Sequence, residues 1–269
     1  MSPDLKKLRH VVLDLDGTVY LGKNLFPQAR PFLASLARLG IRHSFVTNNC
    51  SRSRAEYVHD LREIGIDANA HSILTSAHAT IHHLTVNLPR AKRLFVLGTA
   101  GLDHDFRLAG FEVVDRDPDA VVVGFDNALT YDALCQTAYW ISKGLPYIAT
   151  HPDRVCPTDR AIVLPDCAAI CALLETATGR WPDAIPGKPN LVMLQAVFAQ
   201  HDLEPNEVAL VGDRLYTDIR MARDAGALAI LTLTGEAKRS DIENCPAANR
   251  PDIVIAHLGE LQQLLEAAR

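Results

Sequence analysis

An α/β fold on a parallel sheet, with a second α/β unit set into it, is what this 269-residue sequence predicts. Three observations carry that reading. Short Val/Ile/Leu runs recur along the chain, as expected of strands buried on both faces of a parallel sheet. Helical spacing and a Gly stop follow most of the early runs. The alternation then starts afresh near residue 93, after three strands are already in place, so the middle of the chain reads as an insertion.

The first strand is Val11-Val12-Leu13, and it stops at Asp14 and Asp16. In extended backbone, i and i+2 project to one side, so both carboxylates face one spot at a strand's carboxyl end, where open α/β sheets hold ligands. Concentrated negative charge there needs a cation, and Gly17 lets the backbone come close to whatever binds. A calcium-binding helix–loop–helix also opens D-x-D. It fails here because Val19 holds the position of the obligatory glycine and Leu25 that of the bidentate glutamate.

A helix is predicted over 27–39 and a second strand over 41–46, ending in Thr47-Asn48-Asn49. Ser53 and Glu56 form a capping-box pattern that opens the next helix, and a threonine hydroxyl beside free helix-start amides is a natural anion cradle. A strand at 72–75 and a helix at 76–88 complete the first part. The inserted stretch reads as strand 94–97, helix 101–109, strands 111–114 and 120–124, helix 130–143, strand 146–150 and helix 166–178. Lys188 then sits in GKPN, with Asn190 placed to cap the following helix. A cation disfavoured by the helix dipole at such a place asks for a compensating anion. The run VALVGDRLYTDI is an apolar strand ending in Asp213, with Asp218 at the head of a helix that Gly226 stops. Strands over 227–233 and 252–256 and a helix over 258–268 close the chain. The division expected is core 1–80, inserted unit 81–183 and core 184–269.

DLDGT, TNN, GKP and GDRLYTD, in that order and each at a strand end or helix start, resemble the four motifs of the haloacid dehalogenase superfamily over nearly the whole chain. The large α/β insertion between the second and third motifs resembles the cap (type C2a) of subfamily IIA. That branch contains the nitrophenyl-phosphatases, ribonucleotide monophosphatases and phosphoglycolate phosphatases. TSAHAT, VVVGFD and LTYDAL are similar to it as well. The resemblance implies a Rossmann-like core and a phosphatase acting on small phosphomonoesters. Asp14 would be the nucleophile, forming an aspartyl-phosphate. Mg²⁺ would be held by Asp14, the Asp16 carbonyl and Asp213, with Asp218 orienting Asp213 or a water. Asp16 would serve as general acid and then base, kept protonated by its carboxylate neighbour. Gly17, Thr47, the Asn48 amide, Asn49 and Lys188 would gather the phosphate oxygens.

Expelling halide needs neither a proton donor two residues on nor a metal, so Asp16, Asp213 and Asp218 speak against dehalogenation. A phosphotransferase or mutase using the same aspartyl-phosphate, and a non-catalytic phosphate-binding or signalling module, stay open. Substrate contacts are expected from the inserted unit: Phe125, Asp126, His151, Asp153, Arg154 and Cys156. Here the chain departs from its relatives' wording. It reads Thr-His-Pro-Asp where Thr-Asn-x-Asp is usual, Pro-Asp-Cys-Ala where Pro-Gly-x-Gly is frequent, and Cys50 where Ser is commoner.

A net charge of −5 without a basic block recommends neither nucleic acid nor an anionic membrane, and no apolar run approaches the about 20 residues of a membrane span. The first ten residues lack the apolar centre of a signal peptide, and the six cysteines include no C-x-x-C pair, so reduced thiols in a cytoplasmic enzyme are expected. His78, His82 and His83 share a helical spacing without an acid or thiol to complete a metal site. A homodimer through the cap is expected by resemblance alone.

Overall fold

The computed structural model describes residues 4–158 and 162–269. Six strands lie side by side in the order Ile253–Ile255, Leu228–Thr232, Val208–Gly212, His10–Leu13, Arg42–Thr47 and Ile73–Thr75. All neighbours run parallel. His10–Leu13 is central and wholly buried. Val11 and Leu13 pack into one layer with Phe32, Leu36, Phe45 and Leu261, while Val12 packs into the other with Leu194, Val197 and Leu210. This is period-two alternation in a strand covered on both faces, so both sides must be apolar. After the first strand the chain adds strands on one side, then returns to build the other. The order therefore reverses at His10–Leu13, and the crevice beyond its carboxyl end is the expected ligand site.

Four more parallel strands, in the order Glu112–Val113, Arg93–Leu97, Ala120–Val123 and Tyr147–Ala149, form a second sheet. Leu84, Leu102 and Phe106 cover one face and Ile141, Ile170 and Leu174 the other. The expected elements are present with small shifts at their ends, and Ser53 and Glu56 make the capping box. The helix Ser76–Asn87 is continuous across the expected boundary at residue 80. Its Ala79 packs with the large sheet, and Ala77 and Leu84 with the small one. Two short antiparallel hairpins, Tyr20–Leu21 with Asn24–Leu25 and Val155–Cys156 with Leu164–Pro165, were not foreseen, since two-residue strands leave no periodicity to read. The helix expected to open at Asp218 begins instead with a wide turn over Leu215–Ile219. His78 bonds to Thr75 Oγ1 at 2.8 Å. No helix among the described residues is long and apolar enough to cross a membrane.

Candidate active site

Parallel register sets the ends of three neighbouring strands level, because Leu13 pairs with both Phe45 and Val211. The residues just beyond, Asp14, Thr47 and Asp213, are thereby gathered at the switch point, although the chain separates the first and last by nearly two hundred positions. Lys188 reaches the same place from its loop. Its Nζ lies 2.5 Å from Asp14 Oδ1 and 2.6 Å from Asp218 Oδ1, and it donates to the Val46 carbonyl at 3.3 Å. Only 3% of Lys188 is exposed. Burial opposes its charge, but Asp14 and Asp218 outweigh that and hold its pKa above the ordinary value. The anion that makes a cation acceptable here is thus a pair of carboxylates.

Asn48 fixes the lysine loop. Its side-chain Oδ1 accepts from Lys188 N at 2.8 Å, and Nδ2 donates to Lys188 O at 3.1 Å and to Asp153 Oδ1 at 3.2 Å. Its side chain is therefore committed to the fold, which leaves only its backbone amide for the phosphate contact expected of it. A Cβ at Gly187 would stand 2.8 Å from Asn48 Oδ1 and 2.5 Å from Thr150 O, so only glycine permits this approach. Thr47 Oγ1 accepts from Asn49 N at 3.1 Å, and Asn49 Oδ1 accepts from both the N–H and the hydroxyl of Ser51.

Asp14, Asp213 and Asp218 offer carboxylate oxygens within 4.8 Å of one another, all buried. Asp213 Oδ2 accepts from Glu236 N at 2.7 Å, while its buried Oδ1 has no partner. Asp213 lies in a slot between two glycines. A Cβ at Gly235 would meet Asp213 Oδ2 at 1.9 Å, and one at Gly17, whose φ is +89°, would meet it at 2.5 Å. Among the described residues Asp218 makes no hydrogen bond to Asp213, so of the two roles expected of it only the one toward a water stays open. Its Oδ1 takes Lys188 and its Oδ2 takes the Arg214 amide at 3.2 Å. Burial first, then the Asp218 charge, raises the Asp213 pKa to about 7; burial likewise holds Asp14 well above the carboxylate range despite Lys188. Three carboxylates facing one ammonium leave uncompensated negative charge and a free buried oxygen. An all-oxygen donor set of this kind fits a hard divalent cation such as Mg²⁺.

Asp16 stands in the wall between two hollows. The inner crevice, about 20 Å³, is lined by Asp14, Thr47, Lys188 and Asp213 among others, and the outer one holds about 520 Å³. Burial raises the Asp16 pKa to about 6, against the pull of Arg52 and Arg214. Burial, and not the neighbouring carboxylate, is the leading cause.

The contacts expected from the inserted unit divide. Cys156 lines both hollows, Phe125 the outer and Asp153 the inner. Asp126 turns back on its own loop, accepting from Ala128 N at 2.8 Å, and Arg154 is exposed; neither lines these hollows. His151 has no surface to offer a ligand, being 0% exposed. Its Nδ1 lies 3.6 Å from Asp153 Oδ2 and its Nε2 3.5 Å from Asp166 Oδ1. Burial opposes its charge, yet Asp166, Cys50 and Asp153 push its pKa up to about 9. The chain's two departures in these loops thus meet each other, a histidine for the usual Asn facing an aspartate for the usual Gly.

Sequence reasoning missed Arg214. It is buried and ion-pairs with Asp153 at 2.7 Å and Glu236 at 2.9 Å. The available signal was an arginine directly after an acid at a buried strand's end, where an isolated cation has no reason to be.

A family pattern described as haloacid dehalogenase-like hydrolase matches residues 11–112, and a second of that kind matches 185–261. An acid sugar phosphatase of Staphylococcus aureus (strain USA300) is 33% identical over 241 residues, which span 89% of this chain and 92% of that protein. The chain belongs to the haloacid dehalogenase-like hydrolases. Among solved members, the 4-nitrophenylphosphatase of Thermotoga maritima superimposes with a TM-score of 0.90 at 39% identity, covering 96% of this chain and 98% of that one. A glycerol phosphate phosphatase of Mycobacterium tuberculosis, solved with magnesium, gives 0.87 at 32% identity over 98% of this chain and 79% of its own.

Proposed function

We propose that this haloacid dehalogenase-like hydrolase is a Mg²⁺-dependent phosphatase of small phosphorylated metabolites that works in the cytoplasm. The observation that carries the reading is the convergence of Asp14, Lys188, Asp213 and Asp218 on one buried point, with an unpartnered Asp213 oxygen among them. The names of its relatives, phosphatases of sugar, nitrophenyl and glycerol phosphates, support the same class.

Phosphoryl transfer is chiefly positioning and charge neutralisation. Asp14, the Asp16 carbonyl and Asp213 would hold Mg²⁺, which would supply positive charge to offset that of the phosphate. A free Asp14 carboxylate oxygen attacks phosphorus, and the bond to the leaving oxygen breaks. Asp16 gives its proton to that oxygen, so an alcohol departs and Asp14 carries the phosphoryl group. Asp16, now a carboxylate, takes a proton from water as the water attacks phosphorus. This restores Asp14 and releases phosphate. Lys188 opposes the upward shift that burial imposes on Asp14 and meets the phosphate charge, while Thr47 and the Asn48 amide hold oxygens. The small-sheet unit serves as a cap that excludes water.

Turnover of a phosphomonoester panel with Mg²⁺ and with chelator tests the proposal. Asp14→Asn should abolish hydrolysis, and Asp16→Asn should bind phosphate but fail to expel alkoxide. Wild-type activity in Asp14→Asn would end the mechanism. Transfer of phosphate to added alcohols in preference to water would make the enzyme a phosphotransferase.

A further inference from the structure

The outer hollow, at about 520 Å³, is of the size that holds small-molecule ligands, about 300–1,000 Å³. It shares Asp16, Asn49, Cys156 and Pro157 with the inner crevice, so the two meet where a phosphate ester's bridging oxygen would lie. The phosphoryl group takes the inner side and the leaving group the outer.

The walls of the outer hollow are unequal in charge. Among the described residues its one acid is Asp16, whereas Lys23 and Arg52 are both cations. Lys23 sits at the turn of the hairpin joining Tyr20–Leu21 to Asn24–Leu25, is exposed, and makes no ion pair among the described residues. That hairpin is anchored to the site, since Gly17 N donates to Tyr20 O at 2.7 Å. Arg52 is pre-set. Its Nη1 lies 2.9 Å from Asp60 Oδ2, outside this hollow, and its guanidinium carbon stands 5.8 Å from the Tyr57 ring centroid. One carboxylate occupies one edge of a guanidinium fork that has five N–H donors. Phe125 and Leu164 add apolar surface to the lining.

We infer that the outer hollow selects leaving groups bearing a second anionic group, a carboxylate or another phosphate, which Arg52 and Lys23 receive. Arg52 supplies paired hydrogen bonds to a planar or tetrahedral anion, and Lys23 a mobile point charge at the mouth. The inference rests on the phosphatase reading and narrows it. A neutral polyol of equal size would fill the same space but leave both cations solvated.

Matched pairs test it with the purified protein and Mg²⁺: 6-phosphogluconate against glucose 6-phosphate, 3-phosphoglycerate against glycerol phosphate, and fructose 1,6-bisphosphate against fructose 6-phosphate. The first two pairs probe a carboxylate and the third a second phosphate. In at least one class kcat/KM should favour the anionic member by about tenfold or more, the yield of one charge-assisted hydrogen bond, and the ratio should shrink with added salt. Arg52→Gln and Lys23→Gln should each lower that ratio toward one, and Arg52→Lys should keep part of it. Equal kcat/KM within every pair, or a ratio that survives both Gln variants, overturns the inference. Hydrolysis of p-nitrophenyl phosphate by the wild type separates the two claims: without it the phosphatase reading itself fails, and with it only the anion preference does.

Discussion

Arg214 Nη1 lies 2.7 Å from Asp153 Oδ2, and each side chain is only 7% exposed. Arg214 follows the large-sheet strand Val208–Gly212 and Asp153 the small-sheet strand Tyr147–Ala149, so this buried pair ties the two sheets together in the lining of the inner crevice. Arg214 also donates to Val155 O at 3.2 Å, which fixes the loop beyond Asp153. Removing one partner of a buried pair strands the other. Arg214→Gln should therefore cost about 3–5 kcal/mol of stability, read as a lower urea midpoint. In the double variant with Asp153→Asn part of that loss should return, because Asp153 is then no longer a carboxylate stranded without Arg214. Additive losses in the double-mutant cycle would show that the two residues act independently.

Lys188 bridges Asp14 and Asp218 with 2.5 and 2.6 Å contacts. Lys188→Gln keeps a hydrogen-bond donor but leaves two adjacent buried carboxylates without their cation. Loss of one charge stabiliser in a dry site lowers kcat on the order of 10²–10³-fold. A steady-state assay with p-nitrophenyl phosphate checks this. Phosphate should also inhibit the variant more weakly, since Lys188 meets the product's charge.

The large sheet and the gathering of its strand-end residues were legible because both follow from short-range rules. Apolar runs that stop at Asp14, Thr47 and Asp213 mark strand ends, and parallel register alone makes such ends neighbours. The capping box at Ser53 and Glu56 lies within four residues and needs no tertiary context. Contacts set by long-range packing were not legible. His151 and Asp166 are fifteen positions apart on two loops, and each alone reads as an exposed polar loop residue, yet both are buried against each other. The Asn48 amide is the group expected to meet phosphate, and nothing local in the sequence shows that the side chain beside it binds the Lys188 backbone 140 residues away. Asp126 shows the opposite case, since a local turn to Ala128 satisfies a carboxylate that seemed free for substrate.

Asp16 has its pKa raised to about 6, chiefly by burial. A carboxyl group shifted upward holds its proton below that value and loses it as pH rises through it. The general-acid form is thus lost above about pH 6. For substrates with alkoxide leaving groups, kcat/KM should fall on the alkaline side with an apparent pKa near 6. p-Nitrophenolate departs with little help from a proton, so its profile should fall less steeply over the same range. Identical profiles for glycerol phosphate and p-nitrophenyl phosphate would remove Asp16 from the role of acid.

Asp213 has its pKa raised to about 7, by burial and then by Asp218. Metal ligation requires the ionised form, so protons and Mg²⁺ compete for it. The sign is opposite to that for Asp16. Protonation of Asp213 should weaken metal affinity by about tenfold per pH unit below about pH 7, as the protonated fraction grows. Calorimetric titration with Mg²⁺ at several pH values measures this without any turnover, and proton release on binding should be largest at low pH. Gly235→Ala places a Cβ where Asp213 Oδ2 now sits, 1.9 Å away, so Asp213 must leave its slot. That variant should bind Mg²⁺ at least about tenfold more weakly while keeping its fold, as read by circular dichroism. Unchanged Mg²⁺ affinity in Gly235→Ala and in Asp213→Asn alike would mean that the ion binds elsewhere than among Asp14, Asp213 and Asp218.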